Sequence, residues 1–401
     1  MQLVKNNIIM KEISRQLIYV GVDDLTIDLF EGQYRVAQGV SYNSYVILDE
    51  KTAILDTVDA RKAEEWLENV EKALDGRTPD YLVVHHLEPD HSSVIAAVAQ
   101  KYPSMTIVAG AKALAMLPQF FEDLPLEGRT KAMKEGEVLT LGKHSLKFVA
   151  APMVHWPEVM VSFDEYDGTL FSADGFGKFG ALDVCGFYSS EDKDWDSEAR
   201  RYYCNIVGKY GAPVQALLKK AAALPIQRIC PLHGPVIDSD FGHYIGLYDK
   251  WSRYEPETEG VLIAYASMHG GTAQAALKLA EMLREKGVEV QSLDLCRTDL
   301  SAAVAEAFKS LRIVLAASSY DNNIFTPMYN FIHLLQIKGL CDRKIGLIEN
   351  GSWAPCAGRL MKEMLAQMKN MEVVEPVVTI RSRIHSADID KLAELAEAMA
   401  E

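Results

Sequence analysis

The amino-acid sequence predicts two domains, an α+β domain followed by an α/β domain with a doubly wound parallel sheet. Its 401 residues exceed the length of one ordinary domain. Up to about residue 250, short apolar strands come in runs with helices between them, which is typical of sheets covered by helices. From about residue 260, strands and helices alternate strictly, which indicates parallel strands joined by crossover helices.

The boundary between the two patterns is a polar stretch that contains proline, RYEPETEG at 253–260. Such segments commonly link domains because few contacts cross them. We therefore expect one domain over 1–252 and a second over 260–401.

Composition narrows the classes of partner. Apolar residues make up 49% of the chain, enough for two cores, while 56 acidic against 41 basic residues give a net charge of −15. That charge argues against nucleic acid and against an anionic membrane as partners. There is no apolar run near the roughly 20 residues that span a bilayer, and no signal-peptide core, so we expect a cytoplasmic protein.

The six cysteines are scattered without a CxxC pair. This spacing excludes a rubredoxin-like or zinc-ribbon module and gives no disulfide framework. We read the cysteines as buried thiols.

In the first domain, apolar strands separated by turns are expected over 34–49, 52–58, 80–86, 104–110, 145–152 and 168–174, with a helix over 60–76. The most informative of them runs into His86-Leu87-Glu88-Pro89-Asp90-His91. In an extended chain alternate residues share a face, so His86, Glu88 and Asp90 would point together and His91 would follow at the turn. So many polar side chains on one face are typical of a metal site.

Three further candidate ligands directly follow apolar strands: His155, Asp174 and His233. Singly, each such residue is more often a satisfied loop residue than a ligand. Together with the first four they supply seven nitrogen or oxygen donors from four strand ends, enough for two metals and one bridging carboxylate. Imidazole and carboxylate without thiolate suits iron.

The second domain repeats a strand–helix unit. Strands are expected over 260–267, 288–295, 312–319, 343–351 and 373–380, and helices over 272–287, 301–309 and 388–401. The first strand leads into a loop of Ser267, Met268, His269, Gly270, Gly271 and Thr272, which opens directly onto a helix. The loop combines two glycines, flanking hydroxyls and a helix N-terminus, which together favour the binding of an anion such as phosphate. It lacks the GK[ST] signature, so it is not the phosphate loop of a nucleoside-triphosphate-binding protein.

Two more loops follow the third and fourth strands of this domain, where ligands of doubly wound folds bind. They consist of Ser319, Tyr320, Asp321, Asn322 and Asn323, and of Asn350, Gly351, Ser352, Trp353, Ala354 and Pro355. Tyr320 and Trp353 can stack on a planar ring, while the polar groups meet its edge. The three loops together indicate a binding site for a ligand that carries both a planar ring and a phosphate group.

A GxGxxG match at 175–180 also follows a strand. No amphipathic helix opens after it, because ALDVCGFYSS reads as irregular or extended, so we assign no dinucleotide site there.

The HxExDH spacing at 86–91 resembles the metallo-β-lactamase superfamily, whose hydrolases usually carry HxHxDH, with Glu88 in place of the second histidine. The C-terminal half resembles flavodoxin, and the whole chain resembles the flavodiiron proteins (A-type flavoproteins). The resemblance implies a metallo-β-lactamase-like αββα sandwich followed by a flavodoxin-like five-strand sheet, with FMN and two Fe as cofactors. It places His86, Glu88 and His155 on one iron, Asp90, His91 and His233 on the other, and Asp174 between them. In some members the histidine at the His91 position turns away and water takes its place.

The same resemblance implies reduction of O2 to water, of NO to N2O, or both, with electrons passed through FMN. It also implies a head-to-tail homodimer or a dimer of dimers. The external electron donor that the resemblance favours is rubredoxin, and a deazaflavin is the second candidate. Within the sites, we read His85 as structural, His269 as a residue beside the flavin ring, and Trp156 as a pocket roof or a core residue.

Two other functions stay open. One is a zinc-dependent hydrolase fused to a flavodoxin-like domain, against which Glu88 argues. The other is an electron carrier or sensor with a vestigial metal site, against which the complete ligand set argues.

Overall fold

The structure, a computed structural model, describes residues 10–401. They form two compact units, the first running to Tyr203 and including Ala212–Asp249, the second made of Cys204–Gly211 and Lys250–Glu401. Domain limits at 252 and 260 stay a prediction. None of the helices in the described part combines the length and the apolar composition that crossing a membrane requires.

The first unit contains short strands that belong mainly to two sheets. The strands are β1 Lys11–Ser14, β2 Leu17–Tyr19, β3 Val22–Asp24, β4 Leu29–Phe30, β5 Tyr34–Arg35, β6 Val40–Tyr42, β7 Tyr45–Leu48, β8 Thr52–Leu55, β9 Tyr81–Val84, β10 Thr106–Gly110, β11 Thr130–Met133, β12 Val138–Thr140, β13 Ser145–Ala150, β14 Met160–Asp164, β15 Thr169–Phe171 and β16 Arg228–Cys230.

Helices lie between these strands. They are α1 Ala63–Leu74, α2 Pro89–Ser92, α3 Ile95–Lys101, α4 Ala111–Phe120, α5 Leu182–Cys185, α6 Trp195–Tyr202, α7 Gly211–Ala221 and α8 Phe241–Ser252. The predicted helix over 60–76 is confirmed as α1, preceded by a 3-10 turn at Ala60–Lys62. Its buried face carries Trp66 and Val70, as expected of an amphipathic helix.

Two sheets face each other across the core of the first unit. One has the order β1-β2-β7-β8-β9-β10-β11 and the other β12-β13-β14-β15-β16. Buried side chains from both sheets, among them Leu55, Val83, Phe148 and Phe171, form one apolar cluster. The strand ends on one side of this sandwich therefore come together, and they carry the candidate metal ligands.

After the GxGxxG match, the chain forms the four-residue helix α5 at Leu182–Cys185. The expectation of irregular or extended chain is wrong for these residues. One helical turn with no long amphipathic helix is still not the strand–helix unit that dinucleotide binding requires.

The second unit follows the predicted alternation. Its elements are β17 Thr258–Ala266, α9 Gly271–Glu285, β18 Val290–Asp294, α10 Leu300–Lys309, β19 Ser310–Tyr320, β20 Asn323–Ile324, α11 Thr326–Ile337, β21 Arg343–Asn350, α12 Ala357–Leu365, β22 Met371–Val373, β23 Val378–Ile380 and α13 Ser386–Ala400. Two crossover helices, α11 and α12, were not located from the sequence.

The sheet of the second unit has the order β18-β17-β19-β21-β22, with every neighbouring pair parallel. This is the doubly wound order in which the first strand lies beside the second and the third. The predicted fifth strand is divided into β22 and β23, both paired with β21. Pro376 lies in the gap, and proline has no N–H to give to the ladder. The predicted architecture, a sandwich followed by a doubly wound sheet, is confirmed.

Candidate functional site

The first four candidate ligands lie on a strand end and a helical turn, and only part of their predicted geometry is correct. The strand β9 ends at Val84, earlier than predicted, and Pro89–Ser92 form the short helix α2. Asp90 therefore reaches the site from a helical turn and not by strand alternation, whereas His91, expected at a turn, lies on that same turn. Proline at the first position of a helix favours this turn, because its fixed φ suits the helix and its missing N–H is not needed there.

One group of donors lies around His86 and His155. The Nε2 of His155 is 3.0 Å from Glu88 Oε2 and 3.0 Å from Asp174 Oδ2. The Nε2 of His86 is 3.3 Å from each of the same two oxygens. Two imidazoles and two carboxylates thus converge on one point, and their donor atoms all lie within 4.8 Å of one another.

A second group lies beside the first. The Nε2 atoms of His91 and His233 are 3.0 Å apart, and Asp90 Oδ2 lies 3.4 Å from the first and 3.2 Å from the second. Oδ1 of Asp174 lies 3.4 Å from His91 and 3.8 Å from His233. Each oxygen of Asp174 therefore faces a different group, which is the arrangement that a bridging carboxylate needs.

The donor set fits two cations. Both carboxylate oxygens of Asp90 and Oδ1 of Asp174 are buried without a hydrogen-bond partner in the described residues. His233 donates Nδ1–H to the carbonyl of Ser41 at 2.7 Å. Its Nε2 is therefore unprotonated, and the lone pair on this atom faces the Nε2 of His91. Buried carboxylate oxygens without hydrogen-bond partners are unfavourable unless a cation lies beside them.

The charges of the cluster are strongly coupled. Burial lowers the pKa of His155, but Asp174 and Glu88 outweigh burial and raise that pKa to about 9. Burial raises the pKa of the Asp174 carboxyl, but His86, His155 and His91 outweigh it and hold that pKa well below its usual range. The cluster therefore attracts positive charge, from protons or from metal ions.

Glu158 orients one ligand and was not predicted from the sequence. Its Oε1 accepts hydrogen bonds from His86 Nδ1 at 2.9 Å and from the backbone N–H of Leu87 at 3.0 Å, in a fully buried position. This fixes the proton of His86 on Nδ1 and leaves Nε2 free to bind metal. The available signal was an acid three residues after His155, in HWPE.

A second unpredicted feature positions His233. It consists of residues 41–45, which bond to the segment around His233, and we name it the 41–45 latch. Asn43 donates from Nδ2 to the carbonyls of Pro231 at 2.9 Å and Gly234 at 2.8 Å, and from its backbone N–H to Leu232 at 2.8 Å. Tyr45 donates its hydroxyl to Pro231 at 2.8 Å. No sequence pattern connects these two segments, because their contacts span nearly 190 positions.

His85 has the structural surroundings that were predicted. Its Nδ1 lies 2.5 Å from Asp56 and its Nε2 lies 2.7 Å from Ser162, so both ring nitrogens are occupied. Trp156 lies beside the ligands, with its ring centroid 5.2 Å from that of His86 and 6.4 Å from that of His155. Trp156 does not line the cavity at Glu88 and Asp90, so its role as a pocket roof stays a prediction.

A cavity of about 340 Å³ adjoins Glu88 and Asp90. Phe30, Tyr42 and Arg61 form part of its wall. The Glu88 side chain is 16% exposed, against 1% for Asp174, so the centre is more open to solvent on the side of Glu88.

Tyr202 adds a buried hydroxyl near the same centre. Its ring centroid is 5.6 Å from that of His233, and its hydroxyl has no hydrogen-bond partner in the described residues. Burial and the neighbouring carboxylates Asp174 and Asp90 keep the pKa of this hydroxyl well above its usual value, so it is a proton-bearing donor.

The second candidate site is a cavity of about 760 Å³ at the carboxyl ends of the strands of the second unit. Most of the predicted flavin residues line it: Ser267, Met268, His269, Gly271, Thr272, Ser319, Tyr320, Asp321, Asn322, Asn350, Gly351, Ser352, Trp353 and Ala354. Ser318, Ser382 and Arg383 also line it, and the last two were missed because they follow the divided fifth strand.

Three predicted flavin residues do not line this cavity. Gly270 turns the loop with a φ of 86°, and its N–H donates to Ser267 Oγ at 3.1 Å. Asn323 begins β20, and its side chain accepts from the N–H of Ile324 at 2.8 Å. Pro355 lies behind Gly351, where an added Cβ would come within 2.8 Å of it. All three shape the loops, and their contact with a flavin stays a prediction.

Comparisons with known proteins place both units among characterised relatives. The family described as "ODP family beta lactamase" matches residues 40–234. A nitric oxide reductase of Moorella thermoacetica is 30% identical over 390 residues, covering 96% of each chain. An anaerobic nitric oxide reductase flavorubredoxin of Aliivibrio salmonicida is 30% identical over 341 residues, which cover 84% of this chain and 66% of that longer protein.

Among solved structures, rubredoxin oxygen:oxidoreductase from the anaerobe Desulfovibrio gigas superposes with a TM-score of 0.92 at 25% identity, covering 98% of each chain. The flavodiiron protein of Giardia intestinalis superposes with a TM-score of 0.86 at 23% identity, a likeness of fold.

Proposed function

The chain belongs to the flavodiiron protein family, and from that premise we propose that it reduces O2 to water, NO to N2O, or both, with electrons that pass through FMN from an external donor. Its cofactors are those of the family, FMN and a di-iron centre. One observation carries the proposal, namely that the two oxygens of Asp174 face two separate groups of ligands.

Each of the two groups offers the nitrogen and oxygen ligands that an iron ion requires. His86, Glu88 and His155 would hold one iron, Asp90, His91 and His233 the other, with Asp174 shared. When bound, the flavin stores two electrons and the iron pair two more, which together match the four that O2 requires. Glu158 and the 41–45 latch keep the imidazoles oriented, so the chain fixes the geometry before any ligand arrives.

The surroundings of the centre suit a small uncharged substrate. The adjoining cavity is small and partly aromatic, and rings of Phe30 and Tyr42 pack against His233 with centroids 5.3 and 6.0 Å away. The wall also carries the acids Glu31 and Asp59, which disfavour an anionic substrate. The Tyr202 hydroxyl is a further buried donor beside His233, and it has no hydrogen-bond partner in the described residues.

We infer that the donor is rubredoxin, with a deazaflavin as the second candidate. The name of the Desulfovibrio gigas protein supports the first of these. We also propose a head-to-tail homodimer or a dimer of dimers. In each chain the Trp353 side chain at the flavin cavity is 88% exposed, which supports a face that another molecule covers.

The test is metal and flavin analysis of protein produced anaerobically, followed by stopped-flow reoxidation. We expect about two irons and one FMN per chain, and rapid reoxidation of the reduced protein by O2, NO or both. Stoichiometric zinc after growth in iron-rich medium would favour the hydrolase alternative. Protein that holds both cofactors and reacts with neither gas would show that the proposed activity is wrong.

A further inference from the structure

We propose that Arg383 binds the phosphate of FMN and makes the cavity selective for FMN over riboflavin. This inference rests on the proposed occupation of the cavity by FMN. Arg383 is the only Lys or Arg side chain among the described residues that line the cavity, and Asp321 is the only acid. The phosphate loop over 267–272 contains no basic residue other than His269.

The backbone around Arg383 is held in place by the fourth strand. The side-chain amide of Asn350 pairs with both backbone groups of Ser382, accepting from its N–H at 2.9 Å and donating to its carbonyl at 3.1 Å. The hydroxyls of Ser352 and Ser382 are 2.7 Å apart, and the N–H of Gly351 donates to Ile380 at 3.1 Å. Residues 380–383, which we call the corner, therefore have a backbone held by hydrogen bonds to β21 and the loop after it. The Cα position of Arg383 is defined by these contacts.

This corner packs against the beginning of α9. A Cβ added to Gly271, the first residue of that helix, would lie 2.0 Å from the carbonyl oxygen of Ser382. Glycine at this position thus permits the close approach of the two segments. Arg383 follows Ser382 directly, which places its backbone beside the helix N-terminus that the phosphate loop precedes.

Charge favours the phosphate over the flavin ring as the partner of Arg383. A phosphate monoester carries about −1.5 to −2 near neutral pH, whereas the oxidised ring is neutral. A helix N-terminus supplies only about half a positive charge. The planar guanidinium group can donate two parallel hydrogen bonds to two oxygens of one phosphate. Among residues 10–401, no carboxylate forms an ion pair with Arg383 that would compete with the phosphate.

The chain also offers a matched control. Arg381 belongs to the same corner and is exposed like Arg383, but it does not line the cavity. Its carbonyl accepts the N–H of Arg383 at 2.9 Å, a backbone contact that a side-chain substitution leaves in place. Arg381→Gln removes the same charge from the same segment without removing a cavity group.

The experiment compares FMN with riboflavin, which lacks only the phosphate. Full-length protein freed of flavin is titrated with each by fluorescence quenching, for the wild type, Arg383→Gln, Arg383→Lys and Arg381→Gln. We expect Arg383→Gln to raise the Kd for FMN about tenfold and to leave that for riboflavin within about twofold. Arg383→Lys should recover part of the loss, Arg381→Gln should change neither Kd, and added salt should weaken FMN binding more in the wild type than in Arg383→Gln.

Two outcomes would overturn the inference, and a third would refute the function on which it rests. An equal loss for both flavins would assign Arg383 to the ring or to the shape of the corner. No loss for either would remove it from the site. A wild type that binds neither flavin would instead refute the proposed flavin cavity itself, which separates the two failures.

Discussion

Asp174 differs from the other six candidate ligands because its two oxygens face different groups, at 3.0 Å from His155 and 3.4 Å from His91. The other carboxylates each belong to one group. A residue shared by two metals affects both when it is lost, whereas a terminal ligand can be replaced by water.

We predict that Asp174→Ala lowers bound iron to less than about half of the wild-type content and abolishes turnover of O2 and NO, with FMN retained. The flavin cavity consists of residues 267–383 alone and has its own core. Iron analysis and flavin absorbance measure the two effects. Asp196→Ala is the control, since Asp196 is a surface acid whose ion pair in the described part of the chain is with exposed His243. Wild-type iron in Asp174→Ala would require another bridge.

Glu158 tests how much the orientation of one imidazole contributes. Glu158→Gln keeps an oxygen for His86 Nδ1 and Leu87 N but removes the charge. We expect iron affinity to fall about 10- to 100-fold, the usual effect of groups that orient metal-binding histidines. Competition with a chelator measures it. An unchanged affinity would show that packing alone holds His86.

At the scale of elements, the 41–45 latch joins the end of β6 and the start of β7 to the loop after β16. The Tyr45 hydroxyl is part of this latch, donating to Pro231 at 2.8 Å, while the equally buried Tyr202 hydroxyl has no partner in the described chain. The two tyrosines thus form a matched pair.

We predict that Tyr45→Phe lowers the free energy of unfolding of the metal-free protein by about 1 kcal/mol, and that Tyr202→Phe changes it by less than about 0.5 kcal/mol. Removing a satisfied hydroxyl loses a hydrogen bond, whereas removing an unpartnered one loses none. Urea denaturation distinguishes them. Equal losses would mean that Tyr202 has a partner such as an ordered water.

His144, in the turn between β12 and β13, forms a buried ion pair with Asp164 at the end of β14, and the strength of this pair depends on pH. Burial lowers the pKa of His144, but Asp164, 2.6 Å away, outweighs burial and raises it. A histidine pKa that is higher in the folded state contributes its full stability below the unfolded value, near 6.5, and loses it as pH rises through the folded value.

We therefore expect the difference in unfolding free energy between the wild type and His144→Asn to be largest near pH 6 and to shrink as pH is raised toward 9. Urea denaturation of metal-free protein at several pH values measures this. His243→Asn, which removes an exposed pair with Asp196, should give a difference below about 0.5 kcal/mol throughout. A difference for His144→Asn that grew with pH would contradict the assigned direction.

At the scale of the whole molecule, we predict that turnover requires a dimer in which one chain's flavin serves the partner's irons. Two inactive variants test this. Asp174→Ala lacks a complete iron pair, and Gly270→Ala/Gly271→Val disturbs the phosphate loop, because a Cβ on Gly271 would meet Ser382 O at 2.0 Å.

Mixing the two should restore about a quarter of wild-type activity, since random exchange makes half of the dimers mixed and each mixed dimer has one intact flavin facing one intact iron site. Isotope-labelled chains and mass spectrometry verify the exchange. Verified exchange without recovered turnover would favour electron transfer within one chain.

The sequence by itself determined the two kinds of sheet, because period-2 strands and strand–helix alternation are local patterns. It also determined the donor residues, since a histidine or an acid directly after an apolar strand needs only its neighbours to be recognised. The HxExDH run and the SMHGGT loop were found this way.

Only the tertiary structure decided how these residues meet. It placed Asp90 on a helical turn and not on a strand, paired the oxygens of Asp174 with separate groups, and brought Asn43 to Pro231 across the chain. It likewise placed Ser382, the residue before Arg383, beside Gly271. The physical reason is that each of these contacts joins segments far apart in sequence, so its geometry is set by the packing of sheets and helices, while a local pattern specifies only which side chain stands at a strand end.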